Sequence, residues 1–246
     1  MNETNPLVFY ANRNCPYVQR SWMTLLELSV YFEYKEIELG KDNKTDGFCA
    51  LNPNGIVPVI KHGETVVYES LVVNEYLCEV FGGNGLTLMP SQPAARARAR
   101  ILMTRCDSKF VKLSYSYLSH KRTEDTAKDD QLRAQLEEEL NVLDAAIGAS
   151  SGPYFMGETV SLVDITIMPF FERMSVALAT WKDFEIANPA RLPLTPPEGR
   201  THLNTWFEVM TNRDSYRQTR MSPERIIELY SRFLHLGYFF RVGVTQ

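Results

Sequence analysis

An α/β domain followed by an all-α domain is the fold class this sequence predicts, and three observations predict it. Strand-like and helix-like segments alternate over roughly the first eighty of the 246 residues. A turn-rich linker follows, Gly82-Gly83-Asn84-Gly85 and then Pro90, Gln92 and Pro93. Beyond Ala94 the strand signals stop and helical periodicity alone remains. With 44% hydrophobic residues, a chain of this length buries one large core or two modest ones. The domains are placed at residues 1–84 and 94–246.

Each element has its own signal. Leu7-Val8-Phe9-Tyr10 is a short apolar, β-favouring run that ends in a polar turn, Ala11 to Asn14. From Pro16 the apolar spacing becomes helical through Val18, Trp22, Leu25 and Leu26. A second strand is expected over Tyr34 to Leu39, with Ile37 and Leu39 on one face. Ile56 to Lys61 and Thr65 to Tyr68 read as a hairpin about Lys61-His62-Gly63-Glu64. A helix from Ser70 carries Leu71, Asn74, Leu77, Cys78 and Phe81 on one side and stops at Gly82-Gly83.

In the second half, helices are expected over Ala94 to about His120, Asp129 to Ile147, Leu162 to Thr180, His202 to Thr211 and Pro223 to Leu234. Ser161-Leu162-Val163-Asp164 has the form of a capping box, so Ser161 and Asp164 are assigned to folding. Four prolines between Asn188 and Arg200 forbid a continuous helix there and predict a surface loop. Glu137-Glu138-Glu139 is read as a solvated face. Arg96, Arg98 and Arg100 alternate, which scatters them around a helix instead of lining them up for nucleic acid.

Composition narrows the function classes. The net charge is −4, with 26 Lys plus Arg against 30 Asp plus Glu, whereas binding to nucleic acid or an anionic membrane needs concentrated positive charge. No apolar run reaches the ~20 residues that span a bilayer. The first residues have neither a basic nor an apolar signal region, so a cytoplasmic protein is expected. Cysteines stand far apart at 15, 49, 78 and 106, with no C-x-x-C pair and no His at ligand spacing, so no metal site is expected.

Cys15 carries the chemistry. It lies between the first strand and the first helix, with Pro16 at the helix's first position, where a missing N–H costs nothing. There it meets the unpaired amides and the positive end of the helix dipole, which favour a thiolate, and Arg13 and Arg20 add positive potential. Such surroundings bring a thiol from about 8.5 down to roughly 3.5–7.5. The plainer alternative is a small buried residue at a helix start. Three residues on, where a dithiol oxidoreductase keeps its resolving cysteine, stands Val18. A mixed disulfide on Cys15 therefore needs an external thiol to release it.

The rest of this half offers what a small thiol peptide needs. Pro58 opens a strand beside the Cys15 turn; spacing alone does not fix the isomer of the Val57–Pro58 bond, and a cis bond would turn the Val57 amide and carbonyl outward to pair with a peptide. Ser70 is a natural N-cap, and the same turn offers amides and a hydroxyl to a carboxylate. Glu69 offers an acceptor to an ammonium group, so the pair suits the free amino-acid end of glutathione. Lys44 offers an ammonium to a second carboxylate, with a solvated lysine in the polar loop 41–44 as the plainer alternative.

From Leu7 to about Gly237 the chain resembles a cytosolic glutathione transferase, most of all the omega class, in which a cysteine is the active residue. The resemblance rests on "NCPYVQR", on "KTDGFCALNPNGIVPVI" followed by "VYESLVVNEYL", and on "FMGETVSLVDITIMPFFERM". It implies a thioredoxin-like first domain and a helical-bundle second domain that walls the acceptor site. It also implies a homodimer, glutathione as cosubstrate, and glutathione contacts from Lys44, Val57, Pro58, Glu69 and Ser70. The implied chemistry is thiol transfer or dehydroascorbate-type reduction through a Cys15–glutathione mixed disulfide, on a small disulfide or electrophile. Tyr17 stands where omega members usually carry Phe, and Gln19 replaces an acidic residue, departures that bear on acceptor choice. Tyr115 and Arg173 are the acceptor-site candidates, with core or dimer packing as the alternative. Three other readings stand beside this one: conjugation or thioether cleavage, with the Tyr10 hydroxyl activating glutathione in the conjugating case; a channel-family relative; and a non-enzymatic interaction module.

Overall fold

The computed structural model describes residues 6–83, 87–186 and 200–236. The elements run β1 (Leu7–Ala11), α1 (Pro16–Glu27), β2 (Glu33–Glu36), α2 (Asp46–Leu51), β3 (Val59–His62), β4 (Thr65–Tyr68) and α3 (Ser70–Phe81). Then come α4 (Pro93–Arg105), α5 (Lys112–Ser119), α6 (Thr126–Gly148), α7 (Leu162–Lys182), α8 (Thr201–Thr211), α9 (Asp214–Thr219) and α10 (Pro223–Leu236). The chain forms two compact units, Met1–Ser91 with Arg213–Arg220, and Gln92–Asn212 with Met221–Gln246.

The first unit is a thioredoxin-like domain built on a four-stranded sheet in the order β2-β1-β3-β4. β1 runs parallel to β2 and antiparallel to β3, and β3 to β4 antiparallel. Alternation on β1 sends Leu7, Phe9 and Ala11 into the core, where the Phe9 ring meets Phe32 and Tyr34 edge-on. Helix α1 departs from its sequence pattern: Val18 and Leu25 are buried as expected, but so are Gln19, Arg20, Ser21 and Thr24. It is packed against both α3 and α9, so its polar residues are enclosed as well.

Several boundaries moved for identifiable reasons. β2 ends at Glu36, because past the edge-strand ladder Leu39 turns to solvent and is 47% exposed. β3 begins at Val59, leaving Ile56, Val57 and Pro58 ahead of the paired register. Helices α2 and α9, six residues each, escaped the sequence reading because they are too short to show a period.

The second unit is helical and centres on α7, which is buried at every position from Leu162 to Leu178. Phe171 packs against Phe110, Trp206 and Phe207. The stretch expected as one helix from Ala94 is α4 and α5 joined by a π-helical segment, Cys106–Val111. Glu139 corrects the solvated-face reading: it is 3% exposed and takes a two-pronged bond from Arg105 at 2.9 and 2.5 Å. Burial pushes its carboxyl up, against the pull of that guanidinium. Among the described residues, no helix is long and apolar enough to cross a membrane. The expected proline-rich loop, apart from Arg200, lies outside the described residues.

Candidate active site

Cys15 is the N-cap of α1, in extended conformation (φ −85°, ψ 122°), with Pro16 opening the helix. It is half-buried. Its N–H donates to the Asn12 carbonyl at 3.0 Å, and its own carbonyl accepts from the Gln19 N–H at 3.1 Å. The strand-to-helix turn follows from composition: β1 ends where Asn12 begins a run of polar residues, and Pro16 has the φ a helix start requires. All four cysteines are free thiols.

The two arginines expected to add positive potential at Cys15 each have partners of their own. Arg13 lies 5.4 and 5.3 Å from the Trp22 and Tyr34 rings, with Glu36 at 3.8 Å. Arg20 is fully buried, 5.2 Å from the Tyr17 ring, and donates to the Ser70 hydroxyl at 3.4 Å. This last bond ties the helix that carries Cys15 to the start of α3.

At that start, Glu69 and not Ser70 is the N-cap, and Ser70 is the first helical residue. Glu69 holds a left-handed backbone (φ +69°), which is costly for a residue with a Cβ. The conformation leaves its carboxylate exposed, 3.5 Å from the Asn54 side-chain amide, while Ser70 is buried. The Val57–Pro58 bond is cis, and both residues are buried. Lys44 closes a single 3-10 turn, Asp42–Lys44. Asn43 donates to the Gly55 carbonyl at 2.6 Å. Gly55 has φ +60°, and a Cβ there would stand 2.8 Å from the Asn43 carbonyl oxygen and 3.4 Å from the Lys44 ammonium.

From the 3-10 turn that ends in Lys44, hydrogen bonds and chain neighbours thus lead through Asn43, Gly55, Asn54, Glu69 and Ser70 to Arg20 on α1. Along it stand an exposed ammonium, an exposed carboxylate and the start of a helix. That is the complement a zwitterionic, doubly carboxylated peptide requires. Asn43, Asn54 and Gly55 were missed by the sequence reading; the "NPNG" turn, residues 52–55, was the visible signal for the last two.

Other candidates have partners of their own. The Tyr10 ring packs against Phe48 at 6.3 Å, with the Lys35 ammonium 5.4 Å from its centre. In the second unit, Tyr115 stacks on Tyr230 (6.1 Å, 11°), their hydroxyls 2.8 Å apart. Tyr230, on α10, was not foreseen. Arg173 is completely enclosed, donating to the Pro169 carbonyl at 2.7 Å and to Glu172 at 3.4 Å. Its position on an all-round buried helix agrees with the core-packing alternative weighed against its acceptor role.

Residues 14–80 match the family model for the N-terminal domain of glutathione S-transferase, and residues 93–208 that for its C-terminal domain. Glutathione S-transferase U28 of Arabidopsis thaliana is 30% identical over 92% of this chain and 92% of its own length. Glutathione S-transferase omega-2 of Rattus norvegicus is 33% identical over 68% of this chain and 65% of its own. The crystal structure of glutathione transferase Omega 3C from Trametes versicolor superposes with a TM-score of 0.76 at 28% identity, covering 94% of this chain and 91% of that one.

Proposed function

The chain belongs to the glutathione S-transferase family and is omega-like, and on that footing we propose that it catalyses glutathione-dependent thiol transfer through Cys15. The observation that carries this reading is the cysteine itself: it stands at the N-cap of α1 ahead of Pro16 and outside any disulfide, with buried Val18 where a resolving thiol would stand. The helix's first-turn amides and dipole favour its thiolate. Glutathione is a substrate in this scheme. Its γ-glutamyl end is assigned to Glu69 for the ammonium and to Ser70 with the α3 start for the carboxylate. The Val57-Pro58 segment pairs with its backbone, and Lys44 holds the glycyl carboxylate.

The Cys15 thiolate attacks the glutathionyl sulfur of a mixed disulfide, forming a Cys15–glutathione disulfide as the old S–S bond breaks. The acceptor leaves as a thiolate and takes up a proton. A second glutathione, ionised by loss of its proton, attacks the same sulfur and departs as glutathione disulfide, which returns the Cys15 thiolate. The sum is one mixed disulfide plus one glutathione giving one thiol and glutathione disulfide. Tyr115 with Tyr230 is the acceptor-side candidate. The packing of the Tyr10 ring between Phe48 and Lys35 favours a sheet role over activation of glutathione. A reducing, cytoplasmic setting fits four free cysteines.

The test is reduction of the hydroxyethyl–glutathione mixed disulfide by native protein and by Cys15→Ser. Activity is expected to vanish in the variant. Equal turnover in both would remove Cys15 from the chemistry.

A further inference from the structure

Cys15 is held by a loop whose own supports come from β2, and one side chain gathers them. Asn12 is 7% exposed. Its side-chain amide donates to the Ile37 carbonyl at 2.9 Å and to Glu36 Oε1 at 3.2 Å. Its side-chain oxygen accepts the Asn14 N–H at 3.0 Å, and its main-chain carbonyl accepts the Cys15 N–H at 3.0 Å. Glu36 backs this arrangement. It also accepts from the Arg13 N–H at 3.4 Å and from the Tyr34 hydroxyl at 2.7 Å. The Ile37 N–H closes on the Ala11 carbonyl at 2.7 Å. From Ala11 to Cys15, every residue has a bonded backbone group or a side chain bonded to β2 or the residue just after it.

We propose that Asn12, backed by Glu36, is a positioning residue for Cys15: it fixes the turn that holds Cys15 at the N-cap of α1, ahead of the first-turn amides. The proposal rests on the reading of Cys15 as the reactive thiol. Its physical basis is that dipole stabilisation falls off within one turn, so a sulfur released from the N-cap position loses most of it. Asn is suited to the task because one side chain supplies two donors and an acceptor at once. Arg13 reinforces the turn from outside through Glu36, Trp22 and Tyr34.

The experiment measures the pH dependence of alkylation at Cys15 by iodoacetamide, read from the mass of the peptide that carries it, in native protein and Asn12→Ala. Steady-state turnover of the mixed disulfide is followed alongside. In Asn12→Ala the alkylation midpoint should rise by about one pH unit and kcat should fall about tenfold, with KM for glutathione within about twofold. An unchanged midpoint and kcat in a folded variant overturn the proposal, as does a rise in KM alone. Should Asn12→Ala fail to fold, Glu36→Ala is read in its place. Glu36 is exposed, and its variant is expected to move the midpoint and kcat in the same direction by a smaller amount; native values for both overturn the proposal. Alkylation needs no turnover. If Cys15→Ser retains activity, the catalytic reading fails while the midpoint still reports on positioning.

Discussion

Ser70 shows how far one side chain's meaning depends on its neighbour's backbone. As an N-cap, a serine spends its oxygen on its own helix. Here Glu69 takes that position at φ +69°, and Ser70 stands inside the first turn with its oxygen accepting from the buried Arg20. A hydroxyl whose lone pair is occupied by a guanidinium has its own proton to donate. A carboxylate at the helix start is the acceptor that fits. Retaining a left-handed glutamate beside it costs on the order of 1 kcal/mol or more, and such strain persists mostly at functional positions. Ser70→Ala is therefore expected to raise KM for glutathione about tenfold with little change in kcat, since it removes one hydrogen bond to a charged group. Steady-state kinetics with glutathione varied checks this, and an unchanged KM would return Ser70 to a structural role.

Helix α7 is the clearest case of an element declared by its first residues. The Ser161 hydroxyl accepts from the Val163 N–H, while Asp164 accepts from the Ser161 N–H at 2.8 Å and the Ser161 hydroxyl at 2.6 Å. Asp164 does more than close the box. Its other oxygen accepts from the Phe155 N–H at 3.1 Å and the Trp206 indole at 2.9 Å, which joins the preceding loop and α8 to the start of α7. Burial pushes its carboxyl up, and these four donors pull the other way. Asp164→Ala leaves the Trp206, Phe155 and Ser161 donors buried without this acceptor. A loss of about 3 kcal/mol or more is expected, seen as a melting temperature lower by about 6 °C. A change below about 1 kcal/mol would mean that the cap contributes little to a helix already enclosed by packing.

Seen as a whole, the chain does not finish one unit before building the other: Arg213–Arg220 belongs with the first ninety-one residues. Glu27, at the end of α1, receives Arg213 through Nε at 2.7 Å and Nη2 at 2.5 Å, and also the Ser215 hydroxyl. The first unit thus depends on a segment encoded more than 180 residues after α1 begins. Arg213→Ala leaves the nearly buried Glu27 carboxylate with one partner fewer and is expected to cost about 2 kcal/mol. Faster hydrogen exchange in α1, with α7 unchanged, is the expected signature. Equal exchange in α1 would show that α9 is held by apolar contact alone.

Wherever the information was local, reading the residues in order was enough. Period-two and period-3.6 patterns separated the α/β unit from the helical one, Cys15-Pro16 marked a helix start with a thiol on it, and Ser161 with Asp164 marked the start of α7. What it missed depended on partners distant in the chain. Glu139 became an interior residue through Arg105. Arg20 was drawn to Ser70, and Tyr230 met Tyr115 from the far end of the chain. The left-handed turn at Glu69 and the approach of Lys44 to Gly55 likewise took shape where separate segments met. Burial and backbone strain are properties of an assembled neighbourhood, and the order of residues carries no direct mark of them until folding brings that neighbourhood together.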